Sequence, residues 1–271
     1  MAARKQQPNS TKPSKPRAAP SPAAGLADRV AVVTGGSRGI GFAVARALVR
    51  EGCSIVITGG DENVLAQAAA GIEDSVPASL RSPRKHRPQV LSRHCEVQHP
   101  ESVAGLFSGV KQHFGKVDLL VNNAGVAQPT VPVARTSLEL WHEVIDTNLT
   151  GLFLCTRAAL PLMSRGGTIV NNLSIAAKTV FPNFAAYNAS KHGALGFTLS
   201  LREELIPRGI RVVALMPGAT DTDIWQQFWP DAPRERMIEV ESVAQAVVYA
   251  ALLPPSVNLS ELILTPTGGS L

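Results

Sequence analysis

Tyr187 and Lys191, in the run Tyr-Asn-Ala-Ser-Lys, are spaced for proton chemistry. Residues four apart share one face of a helix, so this spacing sets a phenol beside a cation. A free tyrosine titrates near pH ~10 and is a poor acid or base at neutrality. A neighbouring ammonium stabilises the phenolate and pulls that pKa down. A tyrosine tuned in this way passes a proton to or from an oxygen. By itself the pattern also fits an ordinary amphipathic tyrosine beside a solvated lysine, so the elements around it carry the argument.

Three segments supply that context. In the first, Val30-Ala31-Val32-Val33 reads as a buried strand, Thr34-Gly35-Gly36-Ser37-Arg38-Gly39-Ile40-Gly41 as a glycine-rich turn, and Phe42 to Val49 as a helix. Strand, glycine turn and helix in that order form a dinucleotide-binding half-unit. The glycines let backbone approach a pyrophosphate, and the helix N-terminus offers unpaired amides to it. In the second, Asp118 to Val121 reads as a strand ending in Asn122-Asn123-Ala124-Gly125. Ligands of open parallel sheets bind beyond the carboxyl ends of strands, so Asn123 either touches a nucleoside or holds neighbouring loops. In the third, Gly167 to Asn172 reads as a strand ending in Leu173-Ser174. Ser174 precedes the Tyr187 helix, so the two hydroxyls can converge at one rim.

Strands are expected near 30–34, 54–58, 90–96, 117–122, 167–173, 210–216 and 261–265, and helices near 40–51, 62–72, 100–113, 138–164, 184–206 and 241–252. This alternation predicts an α/β fold, a doubly wound parallel sheet with helices on both faces.

At these residues the chain resembles the short-chain dehydrogenase/reductase family, in its single-domain type. The resemblance runs from about Arg29 to Pro266. It rests on Thr-Gly-x-x-x-Gly-x-Gly, Asn-Asn-Ala-Gly, Ser174, Tyr-x-x-x-Lys and Pro217-Gly218 in family order. It implies a Rossmann-type fold and hydride exchange between a nicotinamide cofactor and a carbonyl or secondary alcohol. Ser174, Tyr187 and Lys191 take the catalytic positions, and Asp146-Thr147-Asn148 resembles the segment that supplies a fourth, Asn148. The implied roles are proton donor for Tyr187 and hydrogen-bond donor to the substrate oxygen for Ser174. Lys191 would bind the nicotinamide ribose, and Asn148 would hold a water in a proton relay.

The resemblance implies cofactor contacts at Gly35, Ser37, Arg38, Gly39, Ile40, Gly41, Glu96, Val97, Asn123, Ala124, Gly125, Tyr187, Lys191, Pro217, Gly218, Thr220 and Thr222. An acid just after the second strand usually binds a ribose diol. Here Gly59-Gly60 stands in that place, and Arg38 can meet a 2′-phosphate. NADP(H) is therefore expected, with NAD(H) open because Asp61 can bend back toward the ribose. The segment Asp223 to Met237 takes the place of a substrate lid. Its Trp225, Phe228 and Trp229 either favour an apolar or acyl-bearing substrate or pack on the core. The C-terminal segment, Leu259 to Thr267, resembles reductases of short 3-hydroxy acids and similar small alcohols, and resembles 3-oxoacyl-carrier-protein reductases less well; a 3-oxo or 3-hydroxy acid or acyl derivative is the expected substrate. Tyr249 is expected to pack inside a helix.

A chain of 271 residues suits one domain with a sizeable core. Residues 1–27 carry Arg4, Lys5, Lys12, Lys15 and Arg17, five prolines and no acid, a composition expected to be a disordered tail preceding a catalytic domain at 28–271. Basic and acidic residues are otherwise equal in number, so the net charge of +5 belongs to the tail. No basic stripe points to nucleic acid. No apolar run reaches the roughly 20 residues of a membrane span. Cys53, Cys95 and Cys155 have no metal or redox spacing, and no metal is expected. The cytoplasm is the expected compartment, and the family suggests a homodimer or homotetramer. The basic loop between Ser75 and Pro88 enters the third strand at its amino end and is expected to be a solvated surface loop. The competing class is a catalytically silent NADP-binding regulatory or scaffold protein. The glycine spacing speaks against a dehydratase or epimerase on the same fold.

Overall fold

A computed structural model describes residues 25–81 and 87–269. Most of the basic tail and part of the 75–88 loop lie outside the described residues. Seven strands form one parallel sheet: β1 Val30–Val33, β2 Ser54–Gly59, β3 Val90–His94, β4 Leu119–Asn122, β5 Thr168–Asn172, β6 Arg211–Pro217 and β7 Glu261–Leu264. Their order is β3-β2-β1-β4-β5-β6-β7. The chain therefore winds outward from β1 in one direction and from β4 in the other. Between these two strands the following loops part, which opens a crevice at their carboxyl ends.

The central strands are buried on both faces, so their sequences are continuous apolar runs without polar alternation. The period of two still sorts the side chains. Ala31, Val33, Ile55, Ile57, Leu119 and Val121 face one core, while Val32, Val56 and Leu120 face the other. Helices α1 Gly39–Arg50, α2 Glu62–Asp74 and α7 Val240–Leu252 cover the first face. Helices α3 Pro100–Phe114, α5 Gly151–Ala159 and α6 Ala185–Leu205 cover the second. The expected doubly wound Rossmann-type sheet is the observed one.

The expected single helix over 138–164 is broken into pieces. Helix α4, Leu138–Ile145, runs into a π turn over Asp146–Thr150, where the Gly151 N–H reaches back five residues to the Asp146 carbonyl. Helix α5 follows and ends in a 3-10 turn at Leu160–Leu162. Pro161 has no N–H to continue the ladder there. The wide turn carries Asn148 inward, and such turns recur at functional positions.

Tyr249 does not pack. It lies on the outer face of α7 with 59% of its surface exposed, because Val243, Val247, Val248 and Ala251 take the inner stripe of that helix. In the 75–88 loop, Arg81 donates to the carbonyls of Asp74 at 2.8 Å and Val76 at 2.9 Å, and Arg87 pairs with Glu73 at 2.7 Å. These two cations sit at the carboxyl end of α2, where the helix dipole favours them.

Candidate active site

A cavity of about 810 Å³ opens at the carboxyl ends of the strands. Its floor begins at the glycine turn. Gly35 has φ +62°, and a Cβ there would stand 2.9 Å from the Ala124 Cα of the facing loop. At Gly39, φ is +55° and a Cβ would meet Thr222. Gly41 is buried behind the turn, where any side chain would collide with the Gly35 carbonyl and the Asn123 amide. The glycines thus bring three loops together and leave bare backbone at the N-terminus of α1. That terminus has no side-chain cap and no acid in its first turn, so its amides remain available to an anion. Arg38, at the cap position, is exposed and has no partner among the described residues.

Two asparagine pairs join the strand ends. The inner pair is structural: Asn122 donates to Thr156 Oγ1 at 2.9 Å and Asn171 Oδ1 at 2.8 Å, and Asn171 donates to Thr198 Oγ1 at 2.9 Å. The outer pair stands at the rim. Asn123 Nδ2 donates to the carbonyls of Thr34 and Gly35, both at 3.0 Å, while its Oδ1 accepts from Asn172 at 2.8 Å. Both amide ends of Asn123 are therefore committed to the loops, although the residue also lines the cavity.

Tyr187 and Lys191 project from the first turns of α6, and Ser174 caps the 3-10 turn Ile175–Ala177 after β5. All three line the cavity. Ser174 Oγ accepts the Ala176 N–H at 3.1 Å, which leaves its own O–H to donate. Lys191 is 7% exposed; its Nζ lies 5.5 Å from the Tyr187 ring centroid and donates to the Asn172 carbonyl at 3.4 Å. Burial pulls the Lys191 pKa down to about 8. Burial also raises that of Tyr187, partly offset by a hydrogen bond with Ser174. The expected depression of the phenol by Lys191 is therefore corrected. Both groups are desolvated together, and the hydrogen bond with Ser174 opposes burial at the phenol.

Asn148 stands just behind the cavity, 3% exposed. Its Oδ1 accepts the Val126 N–H at 2.8 Å, and its Nδ2 donates to the Val126 carbonyl at 2.9 Å and Ser190 Oγ at 3.1 Å. Ser190 in turn donates to the Tyr187 carbonyl at 2.8 Å. The side chain thus braces the loop after β4 against α6. Of the residues expected at the site, all but Gly41 and Asn148 line the cavity.

At the end of β2, Asp61 stands on the helix that follows. Asp61 accepts the N–H groups of Asn63 at 2.9 Å and Val64 at 3.0 Å, capping α2. It does not turn back to the cavity, which Gly59 and Gly60 line instead. Glu96 lies on the rim with Oε2 3.2 Å from His99 Nε2. Pro217, Gly218, Thr220 and Thr222 close the far wall. There Thr220 donates to the Gly218 carbonyl at 3.0 Å, and its own carbonyl accepts the Trp225 indole N–H at 2.8 Å.

Two participants lack a local sequence signal. Gln128 is fully buried; its Oε1 accepts the Tyr187 N–H at 2.8 Å and its Nε2 donates to the Asn183 carbonyl at 3.1 Å. Phe184, which packs edge-on against Phe228 of the lid segment with centroids 5.5 Å apart, is the other.

The short chain dehydrogenase family model matches residues 29–233. A 3-oxoacyl-[acyl-carrier-protein] reductase of Synechocystis is 34% identical, over 90% of this chain and 97% of its own. A cis-4-hydroxycyclohexanecarboxylate dehydrogenase of Sinomonas cyclohexanicum is 37% identical, over 83% and 90% respectively. A metagenomic short-chain oxidoreductase solved with NADP superposes with a TM-score of 0.75 at 31% identity, covering 89% of this chain and 98% of that one. The chain belongs to the short-chain dehydrogenase family. It is thereby an oxidoreductase working between alcohol and carbonyl. Among the described residues, no helix is long and apolar enough to cross a membrane.

Proposed function

We propose that the chain transfers a hydride between NADP(H) and a carbonyl or secondary alcohol, with Tyr187 as proton donor and acceptor. The observation that carries this reading is the convergence of Tyr187, Ser174 and Lys191 on one cavity whose opposite side is the bare glycine turn. The cradle fits a dinucleotide. Side chains are absent where backbone must approach, and helical amides are uncapped where phosphate would lie. Arg38, the glycines at the end of β2 and the engagement of Asp61 with α2 all favour the 2′-phosphate form. The NADP-bound relative agrees with that preference.

When bound, the nicotinamide supplies the hydride. The chain's own groups manage charge and proton. Tyr187, its pKa raised by burial, holds its proton at neutral pH and donates it to the oxygen of a carbonyl undergoing reduction. Ser174 donates a hydrogen bond to the same oxygen, a contribution of about 3 kcal/mol for a preorganised donor. Lys191 anchors the nicotinamide ribose and keeps a positive charge near the developing oxyanion. Asn148 holds the Val126 loop, with a water relay as its further role. A homodimer or homotetramer through α5 and α6 belongs to the same reading; Phe153 and Leu199 are each 40% exposed on those helices.

The test is a steady-state assay of reduced-nicotinamide absorbance over a panel of carbonyls with NADPH and NADH. Tyr187→Phe is expected to bind NADPH like the parent and to lose turnover by about 10²- to 10⁴-fold. Turnover equal to the parent's would remove Tyr187 as the acid. Binding without turnover on every carbonyl would instead favour a silent cofactor-binding protein.

A further inference from the structure

Beyond Ser174 and Tyr187 the cavity is walled by rings: Phe181, Phe184, Trp225, Phe228 and Trp229. Four of them, Phe184, Trp225, Phe228 and Trp229, pack on one another. Trp225 and Phe228 lie 4.9 Å apart at 39°, and Trp225 and Trp229 lie 6.1 Å apart at 64°. The single donor of the Trp225 indole is spent on the Thr220 carbonyl, so what that residue offers a ligand is hydrocarbon surface.

Three of the five charged residues lining the cavity are acids. Of the charged residues lining the cavity, Arg38 and Glu96 stand around the dinucleotide cradle and Lys191 lies under Tyr187. Glu143 of α4 and Asp223, which opens the 3-10 turn carrying Trp225, are the others. Arg234, a cation of the same lid segment, is already engaged. Its Nη1 lies 2.7 Å from Asp221 Oδ1 and 2.6 Å from the Thr222 carbonyl. A carboxylate entering beside the rings would shed water and would meet Asp223 on the turn that carries Trp225, with Glu143 elsewhere on the cavity lining. A flat or branched apolar skeleton would meet aromatic faces and edges.

We infer that the substrate of this site is an uncharged, apolar ring-bearing ketone or secondary alcohol, and that Glu143 and Asp223 exclude carbonyl compounds carrying a carboxylate. The inference rests on the hydride-transfer reading above and departs from the short 3-hydroxy acids to which the C-terminal segment pointed.

The experiment uses the whole chain with NADPH and three ketones of one shape: an oxocyclohexane carboxylate, its methyl ester, and the matching trimethylammonium ketone. The ester is expected to exceed the carboxylate in kcat/KM by more than about tenfold. Glu143→Gln combined with Asp223→Asn is expected to narrow that ratio by raising turnover of the acid. Phe228→Ala is expected to cost the ester more than it costs an acetone-sized ketone. A carboxylate used within about tenfold of the ester overturns the inference, as does a preference for the ammonium ketone, which would mean that the rings and acids recognise a cation. Failure to reduce any of the three, or any small ketone, with either cofactor overturns the hydride-transfer reading beneath it.

Discussion

The carboxamide of Gln128 caps helix α6 at Tyr187 itself. Its Oε1 accepts the Tyr187 N–H at 2.8 Å. Tyr187 is the third residue of α6, and that turn lacks the usual provider, because Phe184 at the N-cap has no side-chain oxygen to give. A residue from the loop after β4 fills the vacancy and, through the Asn183 carbonyl, ties down the approach to the helix. Gln128→Met keeps the volume but leaves the Tyr187 N–H unpaired. It is expected to destabilise the fold by about 1–3 kcal/mol. kcat should fall by about tenfold or more as the phenol is displaced, while KM for NADPH changes little. Gln128→Glu, which keeps the acceptor, is expected to recover part of the kcat; denaturation curves and steady-state kinetics together check this.

Under the proposed mechanism, Lys191 is expected to make carbonyl reduction sensitive to pH on the alkaline side. Burial lowers its pKa to about 8 and raises that of Tyr187, so the ammonium is lost before the phenol's proton. kcat/KM for carbonyl reduction is therefore expected to be flat below neutrality and to fall as pH rises through about 8. A profile measured between weakly acid and alkaline pH shows the limb; a rate that climbs through the same range would contradict the assignment.

The same burial has a cost to the fold. A lysine pKa lowered from 10.5 to about 8 means that the unfolded chain binds the extra proton between those values. Stability from this group therefore rises with pH across that window and is poorest below about 8, by about 3 kcal/mol. Cys53 acts in the opposite sense. Burial raises its thiol to about 12, so the folded chain keeps a proton that the unfolded chain loses, and stability falls once pH passes the ordinary thiol range. Lys191→Met is expected to be inactive yet more heat-stable than the parent at pH ~7, with the advantage shrinking as pH rises toward 10. Calorimetry of both proteins across that range checks the sign.

The end of β2 offers a direct handle on cofactor choice. Nothing lies within 4 Å of a Cβ built at Gly60, and one built at Gly59 meets Ser37 Oγ at 3.1 Å, an atom at the end of a movable side chain. Gly60→Arg is expected to strengthen the NADPH preference by adding a second cation for the phosphate. Gly59→Asp is expected to shift the ratio of kcat/KM values toward NADH by about 10-fold or more. Paired kinetics with the two cofactors measure both effects.

Much of this molecule could be read from neighbours along the chain. The strand runs, the glycine turn and the Tyr187–Lys191 spacing each express a period or a turn constraint within a few residues, and they lie where that logic puts them. Asp61 was legible in principle too: an aspartate followed by a helix is a cap, and it accepts the first amides of α2. Other features answer to contacts that no window contains. Gln128 lies 59 positions from the residue it caps, and the break at Asp146–Thr150 reflects the demand that Asn148 meet Val126 and Ser190. Tyr249 faces out because smaller side chains occupy the stripe against α1. The pKa values of Tyr187 and Lys191 are set by desolvation, which exists only once the sheet and helices close over them. Spacing along a chain specifies which groups can share a face. Burial, and the long-range bonds that go with it, specify what those groups experience there.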